Sequence, residues 1–261
     1  MWELKNKVAL ITGGASGIGL AYAKELLRND LKGVALIDIN NENGNKAVNE
    51  ILEEFKRKNC VIFIKTDITD EKQLENAFET TIKTFHQLDI LINNAGIFHE
   101  VEVEKCIDVN LVAVIKGSML AIEKYFPKYK SAPEGLIVNT ASIAGLQPVE
   151  RTPTYTATKY GVVGFTRAMG GDVRYQVGKT RMIAICPSLV YTPMCNATED
   201  CVPEPFLSMI VDCVKNKPGQ TPEELAKKVI PVISNAPTGS VWIVTTAGCN
   251  EVEFPSFNLN K

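Results

Sequence analysis

The sequence has few of the side chains from which metal centres and disulfide frameworks are built. It contains only two histidines, His86 and His99, and its seven cysteines are scattered without a C-x-x-C pair. An odd number of cysteines in such an arrangement does not indicate a disulfide framework or a zinc site. We therefore expect free thiols in a reducing, cytoplasmic compartment, and we expect no metal.

Long apolar runs and concentrated charge are missing as well. The chain has no run of about 18 apolar residues, so no membrane span is predicted, and its first residues lack the apolar region of a signal peptide. It carries 28 basic and 30 acidic residues, with a formal net charge of −2. Nucleic-acid-binding surfaces cluster lysine and arginine, so neither nucleic acid nor a membrane surface is expected as a partner.

Short apolar runs alternate with amphipathic stretches along most of the chain. Strands are predicted at residues 7–13, 33–39, 60–68, 89–96, 135–141, 181–186 and 240–246, with helical stretches between them. Nearly continuous apolar strands separated by helices are typical of a parallel sheet covered on both faces. The sequence therefore predicts an α/β fold with one doubly wound, Rossmann-type parallel sheet of about seven strands, in a single domain over residues 1–261.

A glycine-rich segment, TGGASGIG at residues 12–19, joins the first strand to the first helix. Its glycines Gly13, Gly17 and Gly19 follow a G-x-x-x-G-x-G variant of the dinucleotide fingerprint. Glycine permits a tight turn and lets the backbone approach a pyrophosphate, and the helix N-terminus attracts phosphate. The alternative is a plain turn between strand and helix. The strand before the segment and the helix after it favour a dinucleotide site.

An acidic residue stands where such a site would meet the adenosine ribose. Asp38 ends the second strand, nineteen residues after Gly19. A carboxylate at this place accepts hydrogen bonds from the ribose hydroxyls and repels a 2′-phosphate. Neither Ala15 nor Ile39 supplies a cation that would attract that phosphate. The sequence therefore predicts NAD rather than NADP, and a solvated acid at the strand end is the alternative.

A tyrosine and a lysine four residues apart, Tyr155 and Lys159, lie near the start of a predicted helix and share one face of it. Such a pair also occurs by chance on helix surfaces. Two further features favour chemistry. Ser142 follows the strand at 135–141, and strand ends on the carboxyl side of an open sheet are where ligands bind. Asn110 interrupts an otherwise apolar helix, although a solvent-facing or capping amide is an alternative there.

Taken together, these segments resemble the short-chain dehydrogenase/reductase family, in the family's order and over nearly the whole chain. Within the family, the NAD-dependent prostaglandin dehydrogenase branch and its insect alcohol dehydrogenase relatives look most similar, on the stretches INNAGI at 92–97, AGLQPV at 144–149, KYGVVGFTRA at 159–168, AICPSLVYT at 184–192 and TGSVWIVTTAG at 238–248. The segments that match are TGGASGIG at 12–19, DI at 67–68, NNAG at 93–96, Asn110, Ser142, Tyr155 with Lys159, and CPSLVYT at 186–192.

The resemblance implies a catalytic role for four residues. Tyr155 is the general base for the substrate hydroxyl, Ser142 orients the substrate oxygen, and Lys159 binds the nicotinamide ribose. Asn110 holds a water that links Lys159 to solvent. A free tyrosine titrates near pH 10, so this role requires its pKa to be lowered by roughly 2–3 units. The Lys159 cation and the positive ring of oxidised nicotinamide both act in that direction.

The resemblance also implies a cofactor-binding set. Its members are Gly13, Ala15, Ser16, Gly17, Ile18, Gly19, Asp38, Ile39, Asp67, Ile68, Asn94, Tyr155, Lys159, Val190 and Thr192. Asp67 and Ile68 are expected to contact adenine, Asn94 to lie along the riboses, and Val190 and Thr192 to face the carboxamide.

The chain departs from the family pattern around the expected substrate. Pro187 is followed by Ser188 rather than glycine, and Arg151 and Thr152 stand where the prostaglandin branch has two glutamines. The surroundings of the substrate oxygen therefore differ from those in that branch. A substrate lid is expected at about residues 194–219. Its apolar residues predict either a pocket wall or an amphipathic helix that packs on the body or on a partner subunit.

The expected function is that of an NAD-dependent oxidoreductase that interconverts a lipophilic secondary or allylic alcohol and its carbonyl compound. A carbonyl reductase in the cell, or a non-catalytic NAD-binding sensor or scaffold of the same fold, are the alternatives. The resemblance further implies a homodimer or homotetramer formed through the helices that carry Asn110 and Tyr155. No role is predicted for the tail at 251–261.

Overall fold

Eight strands form a single sheet in the computed structural model, which describes residues 2–196 and 198–255. Their order is β3-β2-β1-β4-β5-β6-β7-β8, and β1 to β7 are mutually parallel. The strands are β1 (Val8–Thr12), β2 (Gly33–Asp38), β3 (Val61–Lys65), β4 (Ile90–Asn93), β5 (Gly135–Thr140), β6 (Thr180–Pro187), β7 (Val241–Thr245) and β8 (Gly248–Glu251). The predicted doubly wound parallel sheet is confirmed.

The helices follow the strands in the predicted alternation. They are α1 (Gly17–Arg28), α2 (Asn41–Phe55), α3 (Glu71–Phe85), α4 (Val103–Ile107), α5 (Ala113–Met119), α6 (Phe126–Tyr129), α7 (Pro153–Met169), α8 (Asp172–Gly178), α9 (Phe206–Asn216) and α10 (Pro222–Asn235). Among the described residues, no helix is both long and apolar enough to cross a membrane.

The eighth strand, β8, is the one element of the sheet that the sequence did not predict. It pairs antiparallel with β7, and Thr245 faces Gly248 across a two-residue turn. Its sequence, GCNE, is short and polar, so it has no apolar run by which a strand could be recognised. The chain then runs along the same edge, where the Val252 N–H donates to the Val241 carbonyl at 2.7 Å. Residues 256–261 of the predicted tail lie outside the described residues.

Alternate residues of the central strands supply two hydrophobic layers, one on each face of the sheet. In β6, Ile183 and Ile185 belong to the layer that α1 and α10 cover, whereas Met182 and Ala184 point to the opposite face. This alternation follows from the two-residue repeat of a strand. Helices α3, α5 and α7 cover that opposite face. Burial on both sides fixes the register of the strands and therefore the positions of the loops at their carboxyl ends.

Residues 103–129 form one helical run in which the α-helical hydrogen-bonding pattern is interrupted twice. Two π-helical segments, Asp108–Val112 and Leu120–Tyr125, separate α4, α5 and α6. A π segment widens the helix locally and is frequent at functional sites. The first segment contains the fully buried Asn110.

Candidate active site

The candidate residues gather at the carboxyl edge of the sheet. Parallel strands β1, β4, β5 and β6 end at this edge, and the glycine loop, Asn94, Ser142 and Val190 follow within three residues of their ends. The strand order reverses between β1 and β4. In open α/β sheets, ligands bind in the crevice at such a reversal. The fold therefore places the sequence motifs beside the expected crevice.

The glycine loop adopts backbone conformations that require glycine. Gly13 has a φ of +64° and Gly17 a φ of +52°, both in the left-handed region. A Cβ atom on Gly19 would lie 2.2 Å from the Gly13 carbonyl oxygen. The methyl group of Thr192 is 3.2 Å from where a Gly17 Cβ would be. The loop is thus tight, and one of the two residues predicted to face the carboxamide lies against it.

The N-terminus of α1 is open, in the sense that no side chain caps it, and a dinucleotide site requires such an end. Ser16 is the N-cap, its side chain makes no capping hydrogen bond, and the first turn has no acidic residue. By contrast, Asn40, Asp70 and Thr221 cap α2, α3 and α10. Free N–H groups and the partial positive charge of the helix end attract phosphate. The residues present therefore fit the pyrophosphate of a dinucleotide.

Asp38 faces the same loop. Its Oδ2 accepts a hydrogen bond from the Ala15 N–H at 3.3 Å, and its Oδ1 accepts one from the Asn40 N–H at 3.0 Å. The neighbouring Ile39 side chain is 63% exposed, so its apolar surface is available to a ligand. The carboxylate is positioned beside the glycine backbone, as expected for a residue that meets the adenosine ribose.

Asn94 binds the protein backbone at the start of the loop. Its Nδ2 donates to the Thr12 carbonyl at 3.0 Å, and its own N–H donates to the Thr12 Oγ1 at 2.9 Å. These bonds fasten the end of β4 to the end of β1. Thr12, which the sequence analysis did not single out, also accepts a hydrogen bond from Ala95. A threonine at a strand end on the carboxyl edge is the sequence signal that was available for it.

The residues predicted to contact adenine lie after β3. Asp67 Oδ1 accepts hydrogen bonds from the N–H and hydroxyl of Thr69 at 2.9 and 2.7 Å. Ile68 is buried in the hydrophobic layer on the α3 face. Val190, predicted to face the carboxamide, is buried as well and pairs with Gln220 in an isolated bridge. Their contacts with a cofactor stay a prediction.

Tyr155 and Lys159 meet on one face of α7, as the spacing predicted. The Lys159 Nζ lies 5.5 Å from the centre of the Tyr155 ring. Lys159 is almost completely buried and donates from Nζ to the Thr140 carbonyl at 3.0 Å. The Phe98 ring packs edge-on against Tyr155, with 5.1 Å between the ring centres. Ser142, two residues after β5, accepts a hydrogen bond on its hydroxyl oxygen from the Ala144 N–H at 3.1 Å, and its side chain acts to lower the pKa of Tyr155.

The pKa values of both side chains are shifted by burial. Burial raises the pKa of Tyr155 to about 12, against a smaller lowering by the Ser142 side chain. Burial also lowers the pKa of Lys159 to about 8. Removal from water disfavours the charged form of both groups. The expectation of a lowered tyrosine pKa therefore does not hold for the protein chain alone.

Asn110 binds the loop that follows β4. Its Oδ1 accepts a hydrogen bond from the Ile97 N–H, and its Nδ2 donates to the Ile97 carbonyl, each at 2.8 Å. The Nδ2 is also 3.4 Å from the Thr158 hydroxyl oxygen. Both ends of the amide are thus engaged with the peptide backbone. The predicted water-binding role of Asn110 stays a prediction.

The predicted lid contains a short helical turn, Pro193–Cys195, and helix α9. None of the α9 residues is fully buried, and Phe206 and Met209 are each more than two-fifths exposed. The base of the segment is held by Tyr191, whose hydroxyl oxygen accepts a hydrogen bond from the Gly219 N–H at 3.0 Å. An amphipathic helix is therefore present; its residues Leu207, Ile210, Val211 and Val214 are half-buried, and Phe206 and Met209 stay exposed.

Comparison with known proteins places this chain in a family. A family model described as short chain dehydrogenase matches residues 7–201. The 15-hydroxyprostaglandin dehydrogenase (NAD(+)) of Rattus norvegicus is 40% identical over 197 residues, which cover 76% of this chain and 73% of that protein. Alcohol dehydrogenase 1 of Ceratitis cosyra is 30% identical over 241 residues, covering 92% of each chain.

A solved structure shows the same fold. The crystal structure of levodione reductase is similar with a TM-score of 0.77 and 27% identity, and the match covers 94% of this chain and 97% of that chain. The family resemblance that the motifs predicted is confirmed, and the chain belongs to the short-chain dehydrogenase family.

Proposed function

We propose that this protein is an NAD-dependent dehydrogenase that interconverts a lipophilic secondary or allylic alcohol and its carbonyl compound. The names of two relatives support the reaction class, one a prostaglandin dehydrogenase that uses NAD(+) and the other an alcohol dehydrogenase. The observation that carries the proposal is the position of the Tyr155 phenol. It lies beside the buried Lys159 amine, at the sheet edge that also carries Ser142 and the open N-terminus of α1.

Three side chains, Ser142, Tyr155 and Lys159, take part in the transfer of one proton. Ser142 donates a hydrogen bond to the substrate oxygen and holds it next to Tyr155. Tyr155 accepts the hydroxyl proton during oxidation and returns it during reduction. Lys159, with a pKa of about 8, is mostly protonated at neutral pH, and its cation favours the phenolate. Bound NAD supplies the hydride-accepting ring and, when oxidised, a further positive charge.

Asp38 supports NAD over NADP as the cofactor. Its carboxylate lies against the Ala15 amide, where the adenosine ribose is expected, and Ile39 beside it offers no positive charge. A 2′-phosphate at this place would face a carboxylate without a compensating cation.

The exposed apolar side of α9 supports a lipophilic substrate. Met194, Phe206 and Met209 each expose about two-fifths of their surface in the predicted lid. Apolar surface of this kind gains free energy when a ligand or another protein surface covers it. We propose that the lid packs against the apolar part of the alcohol.

Turnover with a panel of alcohols tests the proposal. Purified protein is mixed with NAD and secondary or allylic alcohols of increasing chain length, and formation of NADH is followed by absorbance. We expect turnover that increases with the apolar length of the substrate, and consumption of NADH with the matching ketones. Binding of NAD without turnover on any member of the panel would instead favour the non-catalytic sensor.

We also propose a homodimer as the smallest assembly. The helices that begin beside the site expose apolar side chains, among them Val103 and Ile107 of α4 and Tyr160 of α7, each at least about 37% exposed. The cytoplasmic location expected from the scattered cysteines stays part of the proposal. Light scattering tests the assembly, and a monomer at micromolar concentration would contradict the dimer.

A further inference from the structure

The N-terminus of α7 is closed by a residue that is distant in sequence. The N-cap residue, Thr152, makes no capping hydrogen bond with its side chain, and Pro153 has no N–H to satisfy. The next two N–H groups belong to Thr154 and Tyr155. Both donate to the carboxylate of Glu100, to Oε2 and Oε1 respectively, and each bond is 2.9 Å long. One carboxylate therefore binds the first two free amides of the helix, including the amide of Tyr155 itself.

Further contacts from the loop over residues 97–102 converge on Tyr155. Glu100 lies in this loop, and so does Phe98, whose ring packs on the Tyr155 ring. At its start the loop is held at Ile97, which donates one hydrogen bond to Asn110 and accepts another from it. The loop is thus fixed at one end and contacts both the backbone and the ring of Tyr155.

The same residue also reaches the predicted lid. The Glu100 N–H donates to the Cys201 carbonyl at 2.7 Å. Cys201 lies within the segment at 194–219 that the sequence analysis identified as a lid. Glu100 therefore joins the lid through its backbone and Tyr155 through its side chain.

We propose that Glu100 is a positioning residue, which fixes where the Tyr155 hydroxyl stands relative to Ser142 and Lys159. The proposal rests on the function proposed above, because it concerns the placement of the same general acid/base. The two N–H···carboxylate hydrogen bonds are strong, because the acceptor is charged and lies at the partially positive N-terminus of the helix. Loss of this carboxylate frees the first turn of α7, and a displacement of about 1 Å in a reacting group costs up to about 100-fold in rate.

Three variants separate this role from that of an ordinary helix cap. Glu100→Gln keeps the size of the side chain but replaces one accepting oxygen with a donor that faces an N–H group. Glu100→Asp keeps both oxygens on a shorter stem. Glu102→Gln makes the same charge change two residues away, on a side chain that binds Lys105 in its own helix and not α7.

The kinetic arm uses NAD and the best alcohol of the panel, at a temperature where all variants remain folded by circular dichroism. We expect the kcat of Glu100→Gln to fall about 10-fold to 100-fold while KM for NAD stays unchanged. Glu100→Asp recovers part of the loss, and Glu102→Gln behaves as the wild type. A lowered melting temperature with an unchanged kcat for Glu100→Gln would overturn the proposal, because a simple cap has that effect.

The second arm needs no substrate. Amide hydrogen exchange is measured at Thr154 and Tyr155, and we expect faster exchange at both in Glu100→Gln but not in Glu102→Gln. Unchanged exchange at both amides would overturn the proposal by itself. If the wild type turned over no alcohol, the proposed function would fail, and this arm would still decide whether Glu100 holds the start of α7.

Discussion

Helices α1 and α7 both begin at the candidate site, but their N-termini are opposite in character. In α1 the N-cap Ser16 makes no side-chain bond, and the first turn has no acidic residue. In α7 the Glu100 carboxylate takes up the first two available N–H groups. A side-chain cap stabilises a helix by about 1 kcal/mol. We infer that α1 forgoes this stabilisation so that a phosphate can bind, whereas α7 uses it to hold Tyr155 in place.

The comparison predicts that substitutions in α7 mainly affect turnover, whereas substitutions at the N-terminus of α1 mainly affect cofactor binding. We expect the largest effect from Tyr155→Phe, which removes the group that transfers the proton. Its kcat should fall about 1000-fold, since general acid/base catalysis contributes about 10²–10⁴. Its dissociation constant for NAD, measured by fluorescence titration, should change far less, because only one hydroxyl of the expected cofactor-binding set is removed. A wild-type kcat in Tyr155→Phe would show that α7 does not supply the group that transfers the proton.

A smaller effect, on stability, is expected from Lys159→Met in α7. Burial lowers the pKa of Lys159 from 10.5 to about 8, and a difference of this size corresponds to about 3 kcal/mol. The folded-state pKa is below the unfolded-state value, so the unfolded chain binds more protons between pH 8 and 10.5. The stability of the wild type therefore rises with pH in that window.

Lys159→Met removes the buried charge and also the hydrogen bond to the Thr140 carbonyl, which is worth about 1 kcal/mol. At pH 7 we expect the variant to be more stable than the wild type by about 2 kcal/mol, although it loses turnover. The gain should shrink as the pH rises through the window. Chemical denaturation at pH 7 and at pH 10 measures the difference in the free energy of unfolding between Lys159→Met and the wild type. An equal difference at the two pH values would exclude the buried cation as the cause of the gain.

The smallest of these effects is expected at the open end of α1. In Ser16→Asp a carboxylate caps the helix and occupies the place expected for the phosphates. The free energy of unfolding should rise by about 0.5–1 kcal/mol, while NAD should bind about 10-fold more weakly because of charge repulsion. Ser16→Asn, which caps without charge, is the control and should keep more of the affinity. Unchanged NAD binding in Ser16→Asp would contradict the inference that the N-terminus of α1 is left uncapped for a phosphate, in contrast to the capped N-terminus of α7.

The sequence alone was sufficient to predict those features that depend on residues close together in the chain. The tight glycine loop, the acid at the end of β2 and the shared face of Tyr155 and Lys159 follow from local spacing, and the structure places them at one edge of the sheet. Glu100 was missed because it lies 55 residues before Tyr155 in the chain, and only the fold brings the two together.

The pKa of Tyr155 in the protein without cofactor could not be predicted, for a different reason. Spacing identified the cation at Lys159, which favours the phenolate, but it gave no measure of burial, which raises the pKa of Tyr155 to about 12. Strand β8 was missed because pairing with β7, rather than an apolar pattern of its own, makes it a strand.

Spectroscopic titration of the Tyr155 phenol tests the central claim most directly. The ultraviolet difference between wild type and Tyr155→Phe reports its ionisation, first for the protein alone and then with saturating NAD. We predict that the phenol of the protein alone titrates above its ordinary pKa, because of its burial, and that bound NAD moves the pKa down toward neutrality. A pKa that NAD leaves unchanged would contradict the assignment of Tyr155 as the general acid/base beside the cofactor.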